Sequence, residues 1–195
     1  MISGLQEILD TKKILRDVER ELNKKKIKYA RDIKVGIMIE IPSAVTMADA
    51  LAKHVDFFSI GTNDLIQYAL AIDRINEHVA YMYQPFHPAI LKMIQHVVMA
   101  AKKGGINVAL CGEMAGDPLC AFILVGLGLD ELSMNAQSIP MIKKIIRSIS
   151  MKEAQADLEH IMQLETAKEV RAFIVKRMKP LISELDQKGY YIKVS

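Results

Sequence analysis

The sequence predicts a parallel α/β fold. Two observations carry that prediction: four short β-prone runs alternate with segments bearing helical signals, and polar residues capable of chemistry gather where those runs end. Composition agrees with a folded domain. The chain has 195 residues, 51% of them hydrophobic and 25% charged, so it can bury a sizeable core as a single domain and is not expected to be disordered. The net charge of +3 is small and scattered, which gives no case for nucleic acid or an anionic membrane. No run approaches the roughly 18 apolar residues that span a bilayer, and the first residues lack a signal-peptide pattern, so a cytoplasmic protein is expected. Cys111 and Cys120 are the only cysteines. In a reducing compartment they point to chemistry or packing before a disulfide, and their spacing does not suit zinc.

At the start, Ser3 with Gln6 reads as a capping box. Leu5, Ile8, Leu15, Val18 and Leu22 then recur at helical spacing, predicting an amphipathic helix to about Lys26. Residues 35–41, VGIMIEI, form the first β-prone run, broken only by Glu40. Pro42 ends it and Ser43 is placed to cap a helix that continues through 47–53. A carboxylate near the end of a buried strand is costly unless it is paired, bound to metal or open to a cleft.

The second run, Phe57 to Ile60, meets Gly61, where the chain turns, and then Thr62, Asn63 and Asp64 at the start of a helix. Backbone N–H groups and a carboxylate meet there, which suits a metal-bound phosphate, although capping alone would also explain Thr62 and Asp64. Arg74 lies at the far end of the same unit. Residues 76–87 are irregular and rich in aromatic residues, as segments that cover a site often are. Pro88 opens a helix ended by Gly104 and Gly105. The third run, 106–110, leads directly into Cys111-Gly112-Glu113. Asp117-Pro118 starts another helix, 130–134 is a short fourth strand, and 140–149 is helical. Capping boxes at Ser150/Glu153 and Thr166/Glu169 predict two helices over 151–186, the second containing Pro180, with Val170, Phe173, Ile174, Met178 and Leu181 as its packing stripe.

Glu40, Asp64 and Cys111 therefore all stand at the C-terminal ends of successive strands, the rim where (β/α)8 barrels keep their active residues. Two carboxylates suit Mg²⁺, Asn63 and Arg74 can hold phosphate oxygens, and a thiol that is mostly protonated at neutral pH can serve as an acid towards carbon or as a nucleophile. Cys120, within PLCAFIL, reads as a small buried core residue.

The segments Glu40-Ile41-Pro42, Gly61-Thr62-Asn63-Asp64-Leu65-Ile66-Gln67-Tyr68, Asp73-Arg74, Tyr83-Gln84-Pro85, His87-Pro88-Ala89 and Cys111-Gly112-Glu113-Met114-Ala115-Gly116-Asp117 closely resemble the phosphoenolpyruvate-binding domain of the enzyme I family. These are the phosphoenolpyruvate-protein phosphotransferases of the bacterial sugar phosphotransferase system. The resemblance is collinear over 1–149, and the tail is similar to the family's C-terminal end. It implies that 1–149 is the second half, four strands, of a phosphoenolpyruvate-binding (β/α)8 TIM barrel and that 150–195 is a C-terminal helical tail of the same domain. It also implies the family's reaction, in which the phosphoryl group of phosphoenolpyruvate passes to an enzyme histidine and then to the phosphocarrier protein HPr, releasing pyruvate, in sugar uptake.

For the residues, the resemblance implies Mg²⁺ held by Glu40 and Asp64, substrate held by Asn63, Asp64 and Arg74, and Cys111 as the acid that protonates the enolate. It implies a homodimer as well. The family's phospho-accepting histidine and further substrate arginines precede the matched region, so none of His54, His78, His87, His96 and His160 is expected to be the phosphohistidine. The chain alone is expected to be inactive. Pyruvate phosphate dikinases and phosphoenolpyruvate synthases share the Gly-Thr-Asn-Asp motif, but the Cys111 and Tyr83 segments fit enzyme I better. A non-catalytic oligomerisation module is the remaining alternative.

Overall fold

The computed structural model describes residues 1–187. In chain order its elements are α1 (Leu5–Lys24), β1 (Ile37–Ile39), α2 (Pro42–Thr46), α3 (Ala48–Leu51), β2 (Phe57–Gly61), α4 (Thr62–Leu70), α5 (Pro88–Gly104), β3 (Asn107–Cys111), α6 (Pro118–Leu127), β4 (Glu131–Ser133), α7 (Ile139–Ser148), α8 (Met151–Ile161) and α9 (Ala167–Gln187). The four strands form one parallel sheet in the order β1-β2-β3-β4.

That order has a physical consequence. Right-handed crossovers between strands laid down in sequence order put every connecting helix on the same side of the sheet, because the order never reverses. Burial shows the result. Ile37, Ile39, Phe58, Ile60, Val108 and Leu110 are buried under the helices, whereas Met38 and Phe57 on the opposite face are 41% and 36% exposed. Register aligns Met38, Ser59, Ala109 and Glu131 across that open face, and Gly61, Cys111 and Ser133 at its C-terminal end. A sheet of consecutive parallel strands with helices on one side is the arrangement of half a (β/α)8 barrel. The open face encloses a concavity of ≈ 580 Å³ lined by Phe57, Ser59, Asn107, Ala109, Glu131 and Ser133, nearer the strand starts than the rim.

β1 and β4 are shorter than expected, β2 runs one residue further to Gly61, and β3 is shifted by one residue. Val35 and Gly36 lie outside the β1 ladder, and the Val35 carbonyl accepts from Asp56 N–H while its own N–H donates to the Asp56 carboxylate. Ile106 does not begin β3, because its N–H closes the end of α5 on Ala101. Helix starts also differ. Ser43 lies inside α2, since Pro42 takes the first helical position and Ile41 becomes the cap. At α1 the bonds are made one residue later than Ser3/Gln6 implied: the Gly4 N–H donates to Glu7, and the Ser3 hydroxyl also reaches Glu7. On α1 only Ile8 is buried, while Leu15 and Val18 are 40% and 46% exposed.

Where a side chain caps well, the expected boundary holds. The Asp117 carboxylate accepts from Leu119 and Cys120 N–H at 2.8 Å, and Thr166 and Glu169 make the reciprocal capping bonds before α9. The helix runs on through Pro180. Val170, Ile174 and Met178 join the same continuous core as the sheet, and Phe173 and Leu181 pack against it half-buried. α8 and α9 both pack on α6, and Arg177 of α9 binds Asp157 at 2.7 Å and Glu153 at 3.1 Å on α8. Cys120 is fully buried, its thiol pushed far up by burial. Among the described residues no helix is long and apolar enough to cross a membrane.

Candidate functional site at the strand ends

β2 ends at Gly61 and α4 begins at the next residue, so Thr62, Asn63 and Asp64 all sit within one turn of the sheet's C-terminal edge. Thr62 is not a side-chain cap. It is fully buried, and its hydroxyl donates to the Cys111 carbonyl at 2.8 Å, tying the start of α4 to the end of β3. Cys111 is half-buried, with Sγ 3.5 Å from the Ile60 carbonyl as donor and 3.7 Å from the Ser59 hydroxyl as acceptor. The thiol is thereby held against β2.

Asn63 Oδ1 is the point on which three features converge. It accepts from the Glu113 backbone N–H at 3.1 Å and from the Tyr83 phenol at 3.3 Å. Gly112 lies alongside with φ +102°, and a Cβ there would come within 2.7 Å of Thr62 Oγ1 and 2.8 Å of Asn63 Oδ1. Only glycine allows both this backbone conformation and this approach. Tyr83 is half-buried, and burial followed by the nearby Glu113 carboxylate pushes its phenol up to about 12 against the opposing pull of Arg74.

Arg74 stands elsewhere than the far end of the helix. α4 stops at Leu70, Ala71 turns the chain at φ 53°, and Arg74 comes back towards the site from the following turn. Its N–H donates to Gln67 Oε1 at 3.2 Å, and its guanidinium binds the Glu113 carboxylate at 3.2 Å. Arg74, Ile75, Ala80, Tyr83 and Glu113 line a cavity of ≈ 250 Å³ beside Asn63. Glu113 and Tyr83 join the candidate site here, although the sequence reading gives neither a role. The signals for them are the aromatic-rich segment around Tyr83 and the acidic residue two positions after Cys111.

Glu40, just beyond β1, and Asp64, in the first turn of α4, are close enough to interact. Burial and then the negative charge of Asp64 push the Glu40 carboxyl up. Two carboxylates that repel each other at a partly open rim fit a divalent cation, and Mg²⁺ commonly takes one or two protein carboxylates with water and substrate oxygens completing its shell. Among the described residues no group of three or more His, Cys, Asp or Glu is placed to hold a metal ion.

Residues 1–151 match the family model described as "PEP-utilising enzyme, PEP-binding domain". The chain belongs to the phosphoenolpyruvate-utilising enzyme family. Similar proteins within this family include the phosphoenolpyruvate-protein phosphotransferase of Geobacillus stearothermophilus, 50% identical over 174 residues, which are 89% of this chain and 30% of that protein. That of Bacillus subtilis (strain 168) is 49% identical over 179 residues, 92% of this chain and 31% of that protein. That of Haemophilus influenzae (strain ATCC 51907 / DSM 11121 / KW20 / Rd) is 43% identical over 174 residues, 89% of this chain and 30% of that protein. This member of the phosphoenolpyruvate-utilising family spans about three-tenths of the length of these relatives.

Proposed function

We propose that the chain supplies the Mg²⁺–phosphoenolpyruvate rim of a phosphoenolpyruvate-protein phosphotransferase. In the complete enzyme the phosphoryl group would pass to a histidine and then to HPr, releasing pyruvate in cytoplasmic sugar uptake. The observation that carries this reading is the convergence of Glu40, Asn63, Asp64 and Cys111 at the ends of three neighbouring parallel strands. In this reading residues 1–149 are half of the barrel and 150–187 its helical tail; the rest of the tail segment expected to run to 195 lies outside the described residues. The protein works as a homodimer.

Glu40 and Asp64 would hold Mg²⁺, which when bound neutralises charge on the phosphate and carboxylate of the substrate. Asn63 donates to a phosphoryl oxygen. Arg74 does the same after leaving Glu113, and that exchange costs little because the pair is exposed, 36% and 72% at the two side chains, and such pairs are worth roughly 0–1 kcal/mol. An incoming histidine nitrogen then forms its bond to phosphorus as the bond to the enol oxygen breaks. The leaving enolate takes the proton of the Cys111 thiol at its methylene carbon, giving pyruvate, and solvent restores the thiol.

This chain holds no candidate phosphohistidine in the reading, so by itself it binds and does not transfer. Asp64→Asn tests the metal role. It should weaken Mg²⁺ and phosphoenolpyruvate together in calorimetric titrations of one against the other. An unchanged metal dependence would remove Asp64 from the site.

A further inference from the structure

Resting on the proposed contact between Asn63 and a phosphoryl oxygen, we infer that Tyr83 is a positioning residue that fixes which end of the Asn63 carboxamide meets the substrate. An asparagine amide has an accepting and a donating end of nearly equal shape, and only the donating end can bind a phosphate oxygen. Here the accepting end is taken twice. Glu113 N–H and the Tyr83 phenol both donate to Oδ1, at 3.1 and 3.3 Å. Nδ2 makes no bond to another described residue and is not among buried polar atoms lacking a partner, so its donors are available at the rim.

The three constraints differ in strength. Glu113 N–H is a backbone donor that can never accept, so a reversed amide would set donor against donor. Gly112 permits the approach, since a Cβ there would stand 2.8 Å from Oδ1. The phenol adds the second bond from a half-buried position and couples the amide to the segment over α4 that also lines the Arg74 cavity. Deleting the phenol therefore loosens the amide without releasing it. The expected weakening is about 2- to 10-fold, the range of one net hydrogen bond.

The test is a double-mutant cycle on this chain with Tyr83→Phe, Asn63→Ala and the pair. Phosphoenolpyruvate with Mg²⁺ is the probe, followed by amide shifts in NMR titrations, with unfolding midpoints measured alongside. The inference expects Tyr83→Phe to weaken binding about 2- to 10-fold at an almost unchanged midpoint, and to weaken it no further once Asn63 is alanine. If Asn63→Ala weakens binding but Tyr83→Phe does not, the inference fails and the phosphate role of Asn63 stands. It fails in the same way if the Tyr83 effect persists undiminished in the Asn63→Ala background. If Asn63→Ala changes nothing, or the unaltered chain shows no Mg²⁺-dependent binding, the underlying reading fails and takes the inference with it.

Discussion

Glu40 is held partly buried beside a second carboxylate, Asp64. Its carboxyl is pushed above the ordinary range by burial and by Asp64, so the folded chain holds that proton more tightly than the unfolded chain does. Stability must then fall as pH rises from the ordinary carboxylate range through the raised value, and the loss is complete above it. Glu40→Gln should therefore raise the neutral-pH melting temperature without Mg²⁺, and the advantage should vanish on acidification. Added Mg²⁺ should raise the midpoint of the unaltered chain more than that of the variant. Melts against pH would contradict this by showing a constant difference. Cys111 makes a different prediction, because in the proposed reaction its thiol acts on carbon after the phosphoryl group has gone. In a complete enzyme carrying this rim, Cys111→Ala should lower turnover by about 10²- to 10⁴-fold while leaving phosphoenolpyruvate binding nearly intact. A comparable loss of binding, measured by equilibrium titration, would contradict it.

Among the elements, α6 is the one on which the most packing depends. Eight of its residues are buried, and α7, α8 and α9 pack against it. It lies close against α8 at Gly126, where a Cβ would come within 2.6 Å of the Ala154 carbonyl oxygen. A backbone atom cannot swing aside as a side-chain end can, so Gly126→Ala should destabilise by about 1–3 kcal/mol. Urea unfolding checks it, and an unshifted midpoint would show that the helices separate freely. Such approaches are invisible in sequence. What is legible there is the order and type of the elements, because residues 57–60 and 106–110 are β-prone runs that fall within a residue of β2 and β3, and Asp117 or Thr166 caps through its own side chain. Thr62 misleads, since a threonine before a helix reads as a cap until its hydroxyl is seen on the Cys111 carbonyl. Rim positions of Glu40, Asp64 and Cys111 are legible because parallel strands end together. The partners of Arg74 and Asn63 are not, because Glu113 and Tyr83 reach them from separate segments, 39 and 20 residues away.

For the molecule as a whole, the outer edges of β1 and β4 have no strand partner among the described residues, and the concave face between them is open. Unpaired edges favour association with another chain. Light scattering on the purified chain should report a dimer, and a well-behaved monomer at high concentration would contradict that expectation. In the proposed function one rim, built from three strand ends, takes phosphoenolpyruvate with Mg²⁺. Its most direct test is a ¹⁵N NMR titration of the chain with phosphoenolpyruvate, with and without Mg²⁺. The amides of Glu40, Asn63, Asp64, Gly112 and Glu113 should shift together, on one binding curve, only when both are present. Shifts confined to other surfaces, or the same curve without Mg²⁺, would contradict it.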